Sequence, residues 1–209
     1  MSKPFFQVLK GNDSTITCLK FLEDGYLVAT DSDGLIFLWT PAANETCEFE
    51  PSVNEIKAHD VLISSILTFP NRYIVTGDTA GVLKTWTFDK SQFNLLNVAT
   101  VRKLGKSQST FKTNRIFSGI QLPSLSGAIR SLSFASEQLC TDPEYFANNA
   151  DNEKIFKIYI GTSSNMLFSG SALQATQYII LYEGHSYGVR AIAVDSVEKN
   201  WFYTAAEDH

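Results

Sequence analysis

The chain is short of the residues that most often carry chemistry. Among 209 residues it has three cysteines and three histidines. Cys18, Cys47 and Cys140 are odd in number and form no C-x-x-C pair, which excludes a disulfide framework and a cysteine-based zinc site. There is no G-x-S-x-G, no G-x-x-x-x-G-K-S/T, no H-E-x-x-H and no G-x-G-x-x-G, so hydrolase, nucleotide-binding and metalloprotease readings have no anchor. No apolar run approaches the roughly 20 residues of a membrane helix, and Pro4, Gln7 and Lys10 interrupt the start before it resembles a signal segment. Positive charge is also scarce. Seventeen Lys and Arg face 22 Asp and Glu, for a net charge of −5 and a pI near 5.2, which argues against a whole-surface nucleic-acid or membrane binder. The expectation is a cytoplasmic, non-enzymatic protein with no metal or cofactor.

Helical patterns are equally scarce, since no segment sustains apolar i, i+3, i+4, i+7 spacing with caps over ten residues. With 44% of residues hydrophobic the chain can still bury a sizeable core, and it does so in repeated units. Thr15 to Trp39 holds strand-like runs separated by turns at Glu23-Asp24-Gly25 and Asp33-Gly34, and it ends in Trp. The same layout recurs from Leu62 to Trp86, with 47 residues between Trp39 and Trp86. A third copy runs Ala128 to Phe134, then Phe156 to Gly161, then Asn165 to Phe168, without a closing Trp. A fourth opens at Gly184-His185, continues through Val189 to Val194 and Trp201 to Thr204, and reaches Asp208. Repeats of this length with fixed turn positions predict an all-β fold with one four-stranded sheet per unit around an axis. A sandwich is the weaker alternative. The expected blades are residues 12–58, 59–125, 126–182 and a truncated 183–209, an incomplete propeller of about three and a half blades. The remainder is expected from the same longer chain or from a second subunit.

These units resemble WD-repeat blades, whose pattern is Gly-His before the first strand, Ser/Thr in the second, Asp in the next turn and Trp-Asp closing the third. The first unit matches at Asp33 and Trp39, with Ala29 at the Ser/Thr position and Thr40 after the Trp. The second matches at His59, Thr76 and Trp86, with Ala58 before the His and Ala80 at the turn position. The fourth matches at Gly184, His185, Thr204 and Asp208. The resemblance implies that Asp33, Trp39, His59, Thr76, Trp86, His185, Thr204 and Asp208 serve structural hydrogen-bonded tetrads.

Within that group the chain is most similar to the echinoderm microtubule-associated protein-like family. Leu19 to Trp39 followed by Lys57-Ala-His59, Ile129-Arg-Ser-Leu with Ile160-Gly-Thr-Ser-Ser-Asn165, and Glu183 to Val194 carry the similarity. The Trp-less third blade, with its Ile-Gly-Thr-x-x-Asn turn between Trp-bearing blades, is the most telling feature. The resemblance implies a scaffold that binds tubulin or microtubules, located on the cytoskeleton, at cilium or spindle. The segment Ser91–Gly127 and the insertion Glu137–Glu153 depart from the family. A general adaptor, such as a ubiquitin-ligase substrate receptor or signalling scaffold, is the second reading.

Charge is segregated along the chain. Lys90 to Arg130 holds seven basic residues and no Asp or Glu. Within it Arg102, Lys103, Lys106, Lys112 and Arg115 form either a solvated linker or an electrostatic contact for an acidic partner such as the tubulin surface. Glu137 to Glu153 is acidic, without the alternating Asp/Asn spacing and turn Gly of a calcium loop, and reads as a solvated loop.

Overall fold

Leu27 to Ala29 and Leu35 to Trp39 are unbroken apolar runs, more than a strand with one wet face needs. The structure buries both faces of the two strands that these residues build. The computed structural model describes residues 7–9, 13–22, 24–42, 49–69, 73–89, 92–100, 127–139, 154–171, 179–182, 185–195 and 201–208. Among them there are fourteen strands and no helix.

Strands β1 (Ile16–Phe21), β2 (Leu27–Asp31), β3 (Leu35–Pro41) and β4 (Phe49–Lys57) form an antiparallel sheet in sequence order. So do β5 (Ile63–Phe69), β6 (Tyr73–Asp78), β7 (Val82–Asp89) and β8 (Gln92–Thr100). The third sheet has β9 (Ile129–Leu139), β10 (Lys154–Thr162), β11 (Leu167–Ser171) and β12 (Ile179–Tyr182), and the last described sheet has β13 (Val189–Val194) and β14 (Phe202–Ala206). The first strands lie side by side, β1 against β5, β5 against β9 and β9 against β13. The sheets therefore fan outward from a common inner edge as blades, which is the predicted all-β propeller arrangement.

Blades hold together through the alternation of side chains across each strand. From the first sheet Val28, Ile36 and Leu38 meet Ile63, Ile66, Ile74 and Trp86 of the second. The second sheet's other face places Phe69, Val75 and Leu83 against Ile129, Ile158, Ile160 and Phe168 of the third, with the Phe69 and Phe134 rings edge-on at 5.3 Å. Tyr159 and Leu167 of the third meet Ile192, Val194 and Phe202 of the last. Each aliphatic side chain buried in this way contributes about 1.5–3 kcal/mol, so inter-blade contact supplies much of the stability.

The stretch after Ser91 begins with the fourth strand expected of its blade, β8, paired with β7 from Asp89↔Gln92 to Val82↔Thr100. One segment differs from the sequence reading. The start of the insertion read as solvated loop is strand, because β9 continues to Leu139, which pairs with Lys154. Extending this hairpin adds ladder hydrogen bonds, which outweigh the poor strand propensity of Glu137 and Gln138. Residues 140–153 lie outside the described residues.

The tight turns between second and third strands recur with a left-handed residue at Gly34 (φ 81°), Gly81 (φ 83°) and Asn165 (φ 57°). At Gly34 the conformation and the space both require glycine. A Cβ there would sit 2.3 Å from the backbone oxygen of His59, and the Gly34 carbonyl accepts from both Ala58 N–H (2.9 Å) and His59 N–H (3.0 Å). The turn of one blade thus seats the start of the next. Gly34→Ala is expected to cost about 2 kcal/mol or more, read as a lower urea midpoint at unchanged m-value. A wild-type midpoint would contradict the seating.

Candidate functional site

The polar residues of the chain collect where the blades' turns meet the connections leading into the next inner strand. In the second sheet four side chains form one hydrogen-bonded series. Trp86 Nε1 lies 3.0 Å from Thr76 Oγ1, Thr76 Oγ1 lies 2.7 Å from His59 Nε2, and His59 Nδ1 lies 2.8 Å from Asp78 Oδ2. The directions follow from the groups themselves. An indole only donates and a carboxylate only accepts, so neutral His59 carries its proton on Nδ1, donates to Asp78 and accepts from the Thr76 hydroxyl at Nε2. Asp78 uses its other oxygen for the turn, accepting from Ala80 N–H (2.9 Å) and Val82 N–H (2.8 Å). All four side chains are buried, so each satisfied partner avoids a desolvation cost of about 1–3 kcal/mol.

The sequence placed the acid of this unit at position 80, occupied by Ala80; the structure places it two residues earlier. The same holds in the first sheet, where Asp33, expected in the tetrad, is exposed and accepts from Ser14 Oγ. The buried carboxylate there is Asp31, whose Oδ1 accepts from Asp33 N–H (3.0 Å) and Leu35 N–H (2.8 Å). Asp31 and Asp78 are 47 residues apart, the same interval as the tryptophans, and that recurrence was the available signal. In the third sheet Thr162 holds the corresponding place, its Oγ1 contacting Ser164 Oγ (3.1 Å) and donating to the Met166 carbonyl (3.1 Å). There Ile160 and Gly170 stand where the second sheet has Thr76 and Trp86, which removes the need for a polar series.

In the last sheet His185 Nε2 lies 2.8 Å from Thr204 Oγ1, and His185 Nδ1 lies 3.1 Å from Asp208 Oδ1. Asp208 Oδ2 also accepts from Ser186 N–H at 2.6 Å. That backbone N–H, then the His185 ring, holds the Asp208 carboxyl below the ordinary carboxylate range. In the first sheet the series is broken. Ala29 offers no hydroxyl, and Trp39 Nε1 is buried without an acceptor.

Beside the last of these sites lies a cleft of about 300 Å³ between the third and last sheets, lined by Arg130, Ser163, Asn165, Ser186, Arg190 and Glu207 among others. Arg190 and Glu207 form an ion pair. Arg130, read in the sequence only as the end of the basic run, faces this cleft. Arg102, Lys103, Lys106, Lys112 and Arg115 lie outside the described residues. No group of three or more His, Cys, Asp or Glu suited to a metal ion occurs among the described residues.

Two outcomes follow from this geometry. Thr76→Ala strands both the Trp86 indole and His59 Nε2 and is expected to cost about 2–3 kcal/mol, whereas Ala29→Ser gives Trp39 an acceptor and is expected to add about 1 kcal/mol; chemical denaturation of both variants checks the pair, and loss of stability in Ala29→Ser would contradict it. For Asp208 the folded pKa is depressed, so its contribution is present above the unfolded carboxyl value and is lost as pH falls through the folded one. Amide exchange at Ser186 is therefore expected to lose protection only below the ordinary carboxylate range, and Asp208→Asn is expected to remove that pH dependence.

Residues 3–40 match the family model described as WD domain, G-beta repeat. No curated protein matches the sequence significantly. Among solved structures the chain is similar to the computationally designed Ika4 protein, with TM-score 0.60 and 18% identity over 96% of this chain and 91% of that one. It is also similar to a chain of the mitotic checkpoint complex, with TM-score 0.59 and 12% identity over 94% of this chain and 47% of that one. The RRP9 WD40 repeats give TM-score 0.55 and 17% identity over 89% and 44%. The chain spans a little under half of these last two. Residues 3–40 are thus similar to a WD40 repeat, and the described sheets have the fold of the β-propellers that the chain is similar to.

Proposed function

We propose that the chain is a non-enzymatic protein-interaction scaffold. The observation that carries this is the division of labour among its polar groups. The histidines at 59 and 185, with their Thr and Asp partners, are spent on holding turns to strands. The surface beside them presents a preformed cleft and exposed aromatics, Tyr187 and Trp201, the residue types that anchor interfaces. A fixed surface with such anchors binds with little ordering cost. That one structural neighbour is part of a checkpoint complex supports protein partners in general, as for an adaptor.

The finer reading is cytoskeletal. The resemblance to microtubule-associated WD-repeat proteins, together with the acid-free basic run from Lys90 to Arg130, supports tubulin or microtubules as the partner and the cytoskeleton as the location. Exposed Leu19 and Phe21 on the first sheet and Tyr203 on the last support the addition of further blades, from the same polypeptide or a second subunit, to complete the ring.

Co-sedimentation with stabilised microtubules at low and moderate salt tests this. Salt-sensitive pelleting that weakens when Arg102, Lys103 and Lys106 are neutralised together is the expected result. A folded protein that stays in the supernatant, while capturing ligase or signalling subunits from lysate, would replace the tubulin reading with the general adaptor. Capture of no protein at all would overturn the scaffold.

A further inference from the structure

The cleft between the third and last sheets is built from backbone locked on every side. Asn165, with φ 57°, passes its side-chain amide to the His185 carbonyl at 2.8 Å. Ser163 N–H donates to the Ala128 carbonyl at 2.9 Å, and Gly127 N–H donates to Ser164 Oγ at 3.3 Å. Across the cleft Gly188 approaches so closely that a Cβ would lie 2.8 Å from the Ser163 Cα. Asp208 holds Ser186 N–H from behind. Four segments distant in sequence thus form a preformed floor before any ligand arrives, which removes most of the ordering cost of binding.

The charges on this floor are unequal. Arg130, at the start of β9, is exposed, and among the described residues no carboxylate pairs with it. Arg190 pairs with Glu207, but both side chains are about half exposed, at 51% and 48%, so the pair is screened and exchangeable. The other acid nearby, Asp208, is committed to His185 and Ser186. Ser163 and Ser186 line the same walls. A guanidinium unpaired among the described residues, a second held by a replaceable carboxylate, and flanking serines match a tetrahedral dianion with several acceptor oxygens better than a single carboxylate, which satisfies one guanidinium only. The volume, about 300 Å³, fits one side chain of that size, and Tyr187 stands 60% exposed at the rim to pack against flanking residues.

We propose that this cleft binds a phosphorylated serine or threonine side chain of a partner protein, with Arg130 taking the phosphoryl group directly and Arg190 exchanging Glu207 for it. The proposal rests on the scaffold reading and names the chemistry of one of its partner sites. It is a site for a modified peptide, and Glu207 acts there as a built-in competitor that singly charged ligands displace poorly.

Amide and side-chain NMR of the full chain tests it, with four probes at constant ionic strength: serine, O-phosphoserine, inorganic phosphate, and a Gly-phosphoserine-Gly peptide with blocked ends. The expected result is saturable shifts at Ser163–Asn165 and Ser186–Gly188 for the phosphorylated probes, none for serine, and tighter binding of the peptide than of inorganic phosphate. Arg130→Gln is expected to weaken the peptide about tenfold or more, and Glu207→Gln to strengthen it several-fold. Absence of saturable shifts, an unchanged affinity in Arg130→Gln, or weaker binding in Glu207→Gln would overturn the proposal, and equal affinity for free phosphate and peptide would overturn its peptide part. If Arg130→Gln still captures the same proteins from lysate while the probes fail to bind, the cleft assignment falls and the scaffold reading stands.

Discussion

An indole N–H that has left water must be given to something, and in this fold the answer ties distant pieces of chain together. In the second blade the proton of Trp86 on β7 goes to Thr76 on β6, the proton of Thr76 to His59 on the incoming connection, and the proton of His59 to Asp78 at the turn. Because the indole only donates and the carboxylate only accepts, the two ends set the direction in which neutral His59 and Thr76 pass their hydrogen bonds. The strand, the turn and the connection are then fixed relative to one another, and the hydrophobic faces around Ile74 and Val75 meet the neighbouring blades in a single register.

The other blades show what happens when parts of this series change. Where Thr is replaced by Ala29, the indole of Trp39 is stranded and the blade is left to hydrophobic contact with Leu9, Leu27, Phe37 and Phe49. Where both Thr and Trp are gone, Ile160 fills the space and Thr162 ties the turn alone. In both cases the turn itself survives, because the side chain at 31, 78 or 162 bonds to groups two and four residues ahead. The turn clamp is therefore the more widely kept device, and the long series through Trp and His is an addition to it.

Much of the fold was legible in the sequence because it is periodic. Trp39 and Trp86 stand 47 residues apart, His59 and Thr76 have counterparts in His185 and Thr204, and alternating apolar runs mark the strands between them. Asp31 and Asp78 are hidden by the repeat pattern, whose turn position six residues before each Trp falls on Asp33 and Ala80, although only a residue still on the ladder can aim its carboxylate back into the turn. The cleft was not legible at all. Arg130, Ser163, Ser186, Arg190 and Glu207 come from three connections and two sheets, and no spacing along the chain announces that they share one wall. Arg130 even counted, by sequence, toward a different feature. The basic run from Arg102 to Arg115 remains a matter of sequence, since it lies outside the described residues.

Between sheets, each inner strand meets the inner strand of its neighbour, β1 to β5, β5 to β9 and β9 to β13, and the second strand of the preceding sheet, β2 to β5, β6 to β9 and β10 to β13. Each blade's internal bonding is accordingly nearly independent of blades further round the ring, as in other stacked-repeat architectures. A lineage with this fold is able to rewrite one blade's polar wiring while its neighbours keep the shared frame intact. The coexistence here of a complete Trp–Thr–His–Asp series, a broken one and an aliphatic replacement is the record of that freedom, and it explains why whole-chain similarity fades while single repeats stay recognisable.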